Sequence, residues 1–293
     1  MTDTDLMTRI RALPIWQGEL EASPLTGGIT NVNYKVTDGS GSYVVRVGDD
    51  IPLHQVMRFN ELAANRAAHA AGLSPAVIHA SGDLTVLQFI ESRTLTEADV
   101  RDPALLPRVL DLVKRCHVEV PKHLRGPSLV FWVFHVIRDY GATLLERGSS
   151  HSASIPDLIE TGNRLEQQAG PYDMVFGHND LLCGNFLDDG NRLWLIDFDY
   201  AGFNSPLFDL GGLASNNGLS QAQEELMLES YFEAPVTDDL RHRYAAMKCA
   251  SLLRETMWSM VSEITSDIDF DYAGYTAENL ARFRASLNDF ENT

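Results

Sequence analysis

Two short runs hold the residues best suited to chemistry. HNDLLCGN, from His178 to Asn185, supplies a carboxylate at Asp180 and an amide at Asn185, and LIDFDYAG supplies a second carboxylate at Asp197. A carboxylate, an amide and a later carboxylate, in this order, suit ATP-dependent phosphoryl transfer, in which the protein positions reactants and offsets charge rather than forming bonds itself. Asp180 is placed to accept the proton of an acceptor hydroxyl, and so to touch that substrate. Asn185 and Asp197 offer the hard oxygens that Mg²⁺ prefers, and Mg²⁺ usually takes only one or two protein carboxylates beside phosphate and water. A single Asp is more often a turn former or a helix cap. The three together in this order favour the chemical reading.

Such groups need elements to hold them. Between Asn185 and Asp197, NFLDDGNRLWLID reads as a hairpin with turn residues Asp188, Asp189, Gly190 and Asn191, which brings both candidate metal ligands to one end. Upstream, Leu25 to Val47 reads as a glycine-containing hairpin: Gly27 and Gly28, a polar tip, alternating Val32, Tyr34 and Val36, then a strand from Tyr43 to Val47. Backbone amides at Gly27, Gly28, Thr30 and Asn31 could fold over phosphates. Arg46 lies in mid-strand among apolar neighbours, where a charge is costly unless paired or facing a ligand. Glu61, on an alanine-rich helix ending near Gly72 and Pro75, is its candidate partner.

With LIDFDYAG and the following FNSPLFDLG, HNDLLCGN resembles the catalytic segments of the choline and ethanolamine kinase family, within the wider group of aminoglycoside-phosphotransferase-like enzymes with a protein-kinase-like fold. The resemblance runs from about Leu25 to the C-terminus. It implies that the GGxTNxxY-like stretch is the phosphate loop, with Gly28, Thr30 and Asn31 contacting nucleotide. It also implies that Arg46 meets ATP phosphates and that Glu61, in a match to RxxExxN at Arg58, Glu61 and Asn65, positions Arg46. Backbone from Gln88 to Ile90 would bond adenine. Asp209 would hold the catalytic loop by its backbone, and His178 would be structural.

Farther on, KCASLLRETMWSMVSEITSDIDFDYAGY reads as a helix with apolar positions Ala246, Cys249, Leu253, Met257, Met260 and Ile264 and a polar stripe of Lys248, Ser251, Glu255, Ser259 and Ser262. Trp258 falls where the faces meet, three residues after Glu255 and so beside it on the helix surface. An indole face attracts a quaternary ammonium, and a neighbouring carboxylate adds charge. The resemblance places Trp258 and Tyr275 on the family's choline-contacting aromatics. With Glu255 and Asp199 they form the expected substrate pocket. Glu255 stands where animal enzymes carry a second tryptophan, Asn216 where they have a glutamate, and Cys183 where they often have a carboxylate.

The remaining features set bounds. The 293 residues carry a formal net charge of -18; residues up to Ile90 hold 6 basic and 9 acidic side chains, and the rest hold 17 and 32. Such a balance disfavours nucleic acid and anionic membrane as partners and favours a small cation. Cys116, Cys183 and Cys249 form neither a CxxC pair nor a disulfide framework, and the nine histidines lack zinc-site spacing. No signal peptide or spanning stretch is expected, which points to a cytoplasmic protein. A short helix is expected from Arg9 to Trp16. VIHA and LTVLQFI read as strands, three helical segments follow, and His117 and His135 read as packed core residues.

The expected fold is α/β of the α+β kind, two-lobed and kinase-like: a small β-rich nucleotide lobe over residues 1–90 and a larger, mainly helical catalytic lobe over 91–293. The expected activity is transfer of the γ-phosphate of ATP, with Mg²⁺, to choline or ethanolamine. Two alternatives stand beside it: a kinase of the same superfamily acting on an aminoglycoside or thiamine, and a nucleotide-binding regulator without turnover.

Overall fold

A computed structural model describes residues 3–25, 31–171 and 173–292. The smaller lobe opens with helix α1 (Asp3–Arg11), which begins before the expected Arg9 and stops short of Trp16. Pro14 disfavours helical backbone at Leu13, so the helix ends ahead of it. Strands β1 (Glu21–Leu25), β2 (Val32–Asp38) and β3 (Gly41–Val47) follow, then helix α2 (Arg58–Ala70) and strands β4 (Val77–Ser81) and β5 (Leu84–Gln88). They form one antiparallel sheet in the order β1-β2-β3-β5-β4. Leu6 and Ile10 of α1 pack with Tyr34, Val36, Val45, Leu84 and Val86 into a small core. Successive side chains on a strand point to opposite faces, so buried Val45 faces that core while Arg46, 7% exposed, faces away from it. In the ladder Arg46 lies between Asn33 and Thr85, on a central strand rather than an edge.

The larger lobe contains β6 (Arg93–Thr94), α3 (Glu97–Val100), α4 (Leu106–Glu119), α5 (Val133–Glu146), α6 (Ile155–Ala169) and β7 (Val175–Gly177). Then come β8 (Phe186–Asp188), β9 (Leu193–Leu195), β10 (Gly202–Asn204), α7 (Pro206–Asn217), α8 (Gln221–Phe232), α9 (Asp238–Thr265) and α10 (Tyr272–Glu291). Strands β6, β8 and β9 form one small antiparallel sheet, and β7 pairs with β10.

Helix α9 is the axis of this lobe, packed against α5, α6, α7 and α10. Its polar stripe is largely buried as well: Ser251, Ser259 and Ser262 are all buried. The hydroxyls of Thr256 and Ser262 donate to carbonyls one turn back at 2.8 and 2.9 Å, and that of Ser259 donates to Thr256 at 2.8 Å, which removes most of the desolvation cost. Gly211 permits the close approach of α7, since a Cβ there would lie 2.8 Å from the Lys248 Cα.

Helix α2 also joins this larger core through Ala64, Ala67 and Ala68, so it ties the two lobes together. Of the two histidines expected in the core, His117 is buried, whereas His135 is exposed on the outer face of α5. Among the described residues no helix is long and apolar enough to cross a membrane.

Candidate active site

The HNDLLCGN loop follows β7 and is held by its backbone. Asp209, in the first turn of α7, accepts the backbone N–H of His178 and of Asn179, each at 2.7 Å, and lies 2.8 Å from Nε2 of buried His117. Burial opposes its ionisation, but His117 and these donors outweigh it and lower the pKa of Asp209. Asn179 adopts a left-handed backbone, φ +65°, that non-glycine residues rarely adopt. Its side-chain amide donates to the Tyr200 carbonyl at 2.9 Å and accepts from Asn204 at 3.0 Å. His178 lies 2.9 Å, through Nε2, from the Ile196 carbonyl and packs on Phe198, as suits a structural residue.

The expected hairpin forms. The carboxylate of Asp189 accepts the N–H groups of Asn191 and Arg192 at 2.8 Å each, Gly190 takes φ +86°, and β8 pairs with β9. The Ile196 N–H reaches the Asn185 carbonyl at 3.0 Å, so Asn185 and Asp197 emerge at the same open end. Asn185 donates through Nδ2 to the Asp180 carbonyl at 2.8 Å. The same nitrogen lies 3.3 Å from the Asp180 carboxylate. Asp197 is left-handed too, at φ +68°, the kind of backbone strain that persists where surrounding structure fixes it.

Above the loop lies a lattice of charges. Arg46 reaches Glu61 at 3.2 Å, Asp197 at 2.9 Å and Asp199 at 2.6 Å; Arg58 reaches Glu61 at 2.7 Å and Asp199 at 2.8 Å. Asn31 closes it, accepting from Arg58 at 2.7 Å and donating to Asp199 at 3.0 Å. A Cβ at Gly48 would lie 2.4 Å from the Asn31 oxygen, so a larger residue there would displace Asn31 from the lattice. The expected pairing of Arg46 with Glu61 is present.

Asp199 departs from expectation. It was assigned to the amine pocket, but its oxygens are taken by Arg46, Arg58 and Asn31, because a buried carboxylate 3% exposed must be paired. Burial and the Asp197 charge push its pKa up to about 6 against the two guanidinium groups. For Asp197 burial acts in the same sense, but Arg46 prevails and holds the carboxyl below its usual range.

The nucleotide contacts expected elsewhere are only partly described. Gly27, Gly28 and Thr30 lie outside the described residues, which leaves Asn31 from that loop. The Gln88 N–H bonds the Ala76 carbonyl at 2.9 Å and that of Phe89 bonds Ser42 at 3.2 Å, so sheet pairing has taken two amides expected to meet adenine. Ile90 is half-buried, and its carbonyl accepts the Ser92 hydroxyl at 3.0 Å.

Helices α9 and α10 bring together Glu255, Trp258 and Tyr275. Tyr275 donates to Glu255 at 2.8 Å, and the Trp258 and Tyr275 rings meet edge-on at 6.3 Å. Trp258 is 4% exposed, donates its indole N–H to Tyr200 at 2.9 Å and is flanked by the His54 ring at 5.3 Å. Burial and Arg254 push the His54 pKa down to about 3, so this ring is neutral. Burial, the Glu255 charge and the Asp197 charge, in that order, raise the pKa of Asp180 to about 8. Asp180 therefore lies within electrostatic reach of both the hairpin carboxylate and the pocket carboxylate.

Arg254 was not singled out by the sequence argument, yet its guanidinium donates to Glu255 at 2.9 Å and lies 4.3 Å from the Tyr200 ring centre. The available signal was the one that identified Arg46: a charge inside an apolar run.

A sheet lobe over a helical lobe, with this loop and hairpin between them, defines a kinase-like phosphotransferase fold. A model of the choline/ethanolamine kinase family matches residues 22–226, and the chain belongs to that family. It is similar to a probable ethanolamine kinase of Arabidopsis thaliana, 29% identical over an alignment covering 88% of this chain and 78% of the relative. It is also similar to the crystal structure of a choline/ethanolamine kinase family protein from Mesorhizobium loti, with TM-score 0.79, 26% identity and coverage of 98% and 95% of the two chains. LicA in complex with AMP shares the fold at 19% identity, with TM-score 0.74 and coverage of 98% and 100%.

Proposed function

We propose that the protein transfers the γ-phosphate of ATP to the hydroxyl of choline or a related amino alcohol such as ethanolamine. The observation that carries this reading is the convergence of Asp180, Asn185 and Asp197: Asn185 donates to the Asp180 carbonyl at 2.8 Å and to its carboxylate at 3.3 Å, and shares the open end of the hairpin with Asp197. A base so placed adjoins the candidate metal ligands, and the charges of both Asp197 and Glu255 act on it. In its ionised form Asp180 takes the hydroxyl proton as the acceptor oxygen attacks phosphorus.

Arg46 supplies positive charge beside the phosphates, and Glu61 fixes its orientation. Gly28, Thr30 and Asn31 close over the phosphates, and backbone near Gln88 and Ile90 borders the adenine. Residues 1–90 make up the nucleotide lobe and 91–293 the catalytic lobe. Glu255, Trp258 and Tyr275 receive the ammonium group.

The donor set fits Mg²⁺. Asn185 and Asp197 offer hard oxygens, and Mg²⁺ usually takes only one or two protein carboxylates, with phosphate and water completing its shell. Two guanidinium groups face three carboxylates in the lattice, and Asp197, at 34% side-chain exposure against 3% for Glu61 and Asp199, is the carboxylate that reaches solvent. The excess negative charge thus has an outlet where a cation would bind. When bound, Mg²⁺ would offset phosphate charge.

ATP-dependent phosphorylation, assayed with choline, ethanolamine, thiamine and an aminoglycoside panel, tests the reading. Turnover of an amino alcohol supports it. Turnover of an aminoglycoside or thiamine alone would refute it.

A further inference from the structure

The ammonium side of the pocket already contains a positive charge. Arg254 is 4% exposed, and its guanidinium lies 4.3 Å from the Tyr200 ring centre and 5.5 Å from that of Phe131. Nη1 donates to Glu255 at 2.9 Å, while Nε and Nη2 are buried without an acceptor in hydrogen-bonding geometry. Holding a guanidinium there costs free energy, so its place beside Glu255 invites a functional account.

We propose that Arg254 is a specificity-determining residue that makes the pocket favour a primary ammonium over a quaternary one. This rests on the amino-alcohol kinase reading above. A trimethylammonium group is attracted chiefly by open ring faces. The Tyr200 and Phe131 faces are occupied by Arg254, and Trp258 is enclosed by His54 at 5.3 Å, Tyr272 at 6.1 Å and Tyr275 at 6.3 Å. Little aromatic surface is left for it.

Hydrogen-bond donors point the same way. Glu255 is held by Arg254 through one oxygen and by Tyr275 through the other, at 2.9 and 2.8 Å. A carboxylate oxygen can accept more than one bond, so an –NH₃⁺ group can add donors to both oxygens or replace the Arg254 bond in kind. An –N(CH₃)₃⁺ group has no N–H to offer. If it displaces Arg254 it leaves that carboxylate with charge contact alone, and if it does not, it faces a like charge.

The test is kcat/KM at saturating MgATP for ethanolamine, its N-methyl and N,N-dimethyl derivatives, and choline, with the wild type, Arg254→Met and Arg254→Lys. The wild type is expected to decline along the series, with choline about tenfold or more below ethanolamine, a difference of the order of one lost charged hydrogen bond. Arg254→Met should raise choline relative to ethanolamine by about tenfold, as on the cation–π scale, and Arg254→Lys should keep the wild-type order. Should Arg254→Met prove insoluble, Arg254→Gln removes the charge with a polar chain and serves the same comparison. Choline equal to or above ethanolamine in the wild type would overturn the proposal, as would a neutral variant that slows all four acceptors by one factor. Those outcomes leave the amino-alcohol reading standing, whereas phosphorylation of none of the four overturns both.

Discussion

The perturbed carboxyl of Asp180 makes a quantitative statement about the pH dependence of catalysis. With a pKa of about 8 in the free protein, roughly one molecule in eleven carries the ionised base at pH 7, and about one in a hundred at pH 6. The value of kcat/KM for MgATP at subsaturating choline reports the free enzyme, and choline itself has no titrating amine. It should rise about ninefold from pH 6 to 7, about fivefold from pH 7 to 8 and less than twofold from pH 8 to 9, about ninety-fold in all. Bound cations favour the ionised form, so the limb in kcat should lie at lower pH than the limb in kcat/KM. Glu255→Gln removes the second-ranked cause of the shift and should move the kcat/KM limb down as well. The assay is steady-state coupled detection of ADP across pH 6 to 9 at constant ionic strength. A flat profile over that range, or a limb near pH 4 as for an ordinary carboxyl, would refute the assignment of Asp180 as the base.

Four further expectations follow from named contacts. Asp180→Asn should abolish most turnover yet raise thermal stability: a carboxyl whose folded pKa exceeds its unfolded 3.8 destabilises the fold progressively as pH rises from about 4 to 8, so the Tm advantage of the variant should grow over that window, and a constant difference would count against the shift. Asp197→Asn should eliminate Mg²⁺-supported turnover, with isothermal titration showing weakened uptake of MgATP; full activity would move the metal site elsewhere. Glu61→Gln breaks buried contacts to Arg46 and Arg58 and should cost about 3 kcal/mol in urea unfolding while raising KM for ATP; an unchanged KM would make the pair purely structural. Trp258→Ala should act as a core deletion, lowering unfolding free energy by about 3 kcal/mol or more and raising KM for choline and ethanolamine together; a loss confined to choline would mean that the indole presents an open face.

Local chemistry made much of this protein legible. The Asp-Gly turn between two short apolar runs specified the hairpin and thereby the meeting of Asn185 with Asp197. The alanine-rich run specified α2, and a charge in mid-strand marked Arg46 as paired. Strand β1, EASPL, was not legible, since it lies exposed at the sheet edge and carries no apolar alternation. The amides of Gln88 and Phe89 were assigned to a ligand because their partners, Ala76 and Ser42, lie in other segments whose register no local pattern reveals. The same distance in sequence concealed Arg254, whose aromatic neighbours Phe131 and Tyr200 come from other parts of the chain.

Asp199 is the instructive error, because the information needed to place it was nearby. The expected amine pocket groups it with Glu255, Trp258 and Tyr275, whereas the structure gives it to Arg46, Arg58 and Asn31. Asp197 and Asp199 are only two residues apart in IDFDY, so a counter-charge that serves one lies close to the other, and both contact Arg46, at 2.9 and 2.6 Å. Two adjacent buried carboxylates repel each other and must share counter-charges, which is why Arg58 as well as Arg46 is drawn in. Glu255 is the carboxylate left for the ammonium side, on a different helix and paired to a different arginine. Asp197 and Glu255 thus belong to separate charge groups, and both raise the pKa of Asp180. Cations bound beside either carboxylate would lower it, a coupling that the separation of the kcat and kcat/KM limbs would measure.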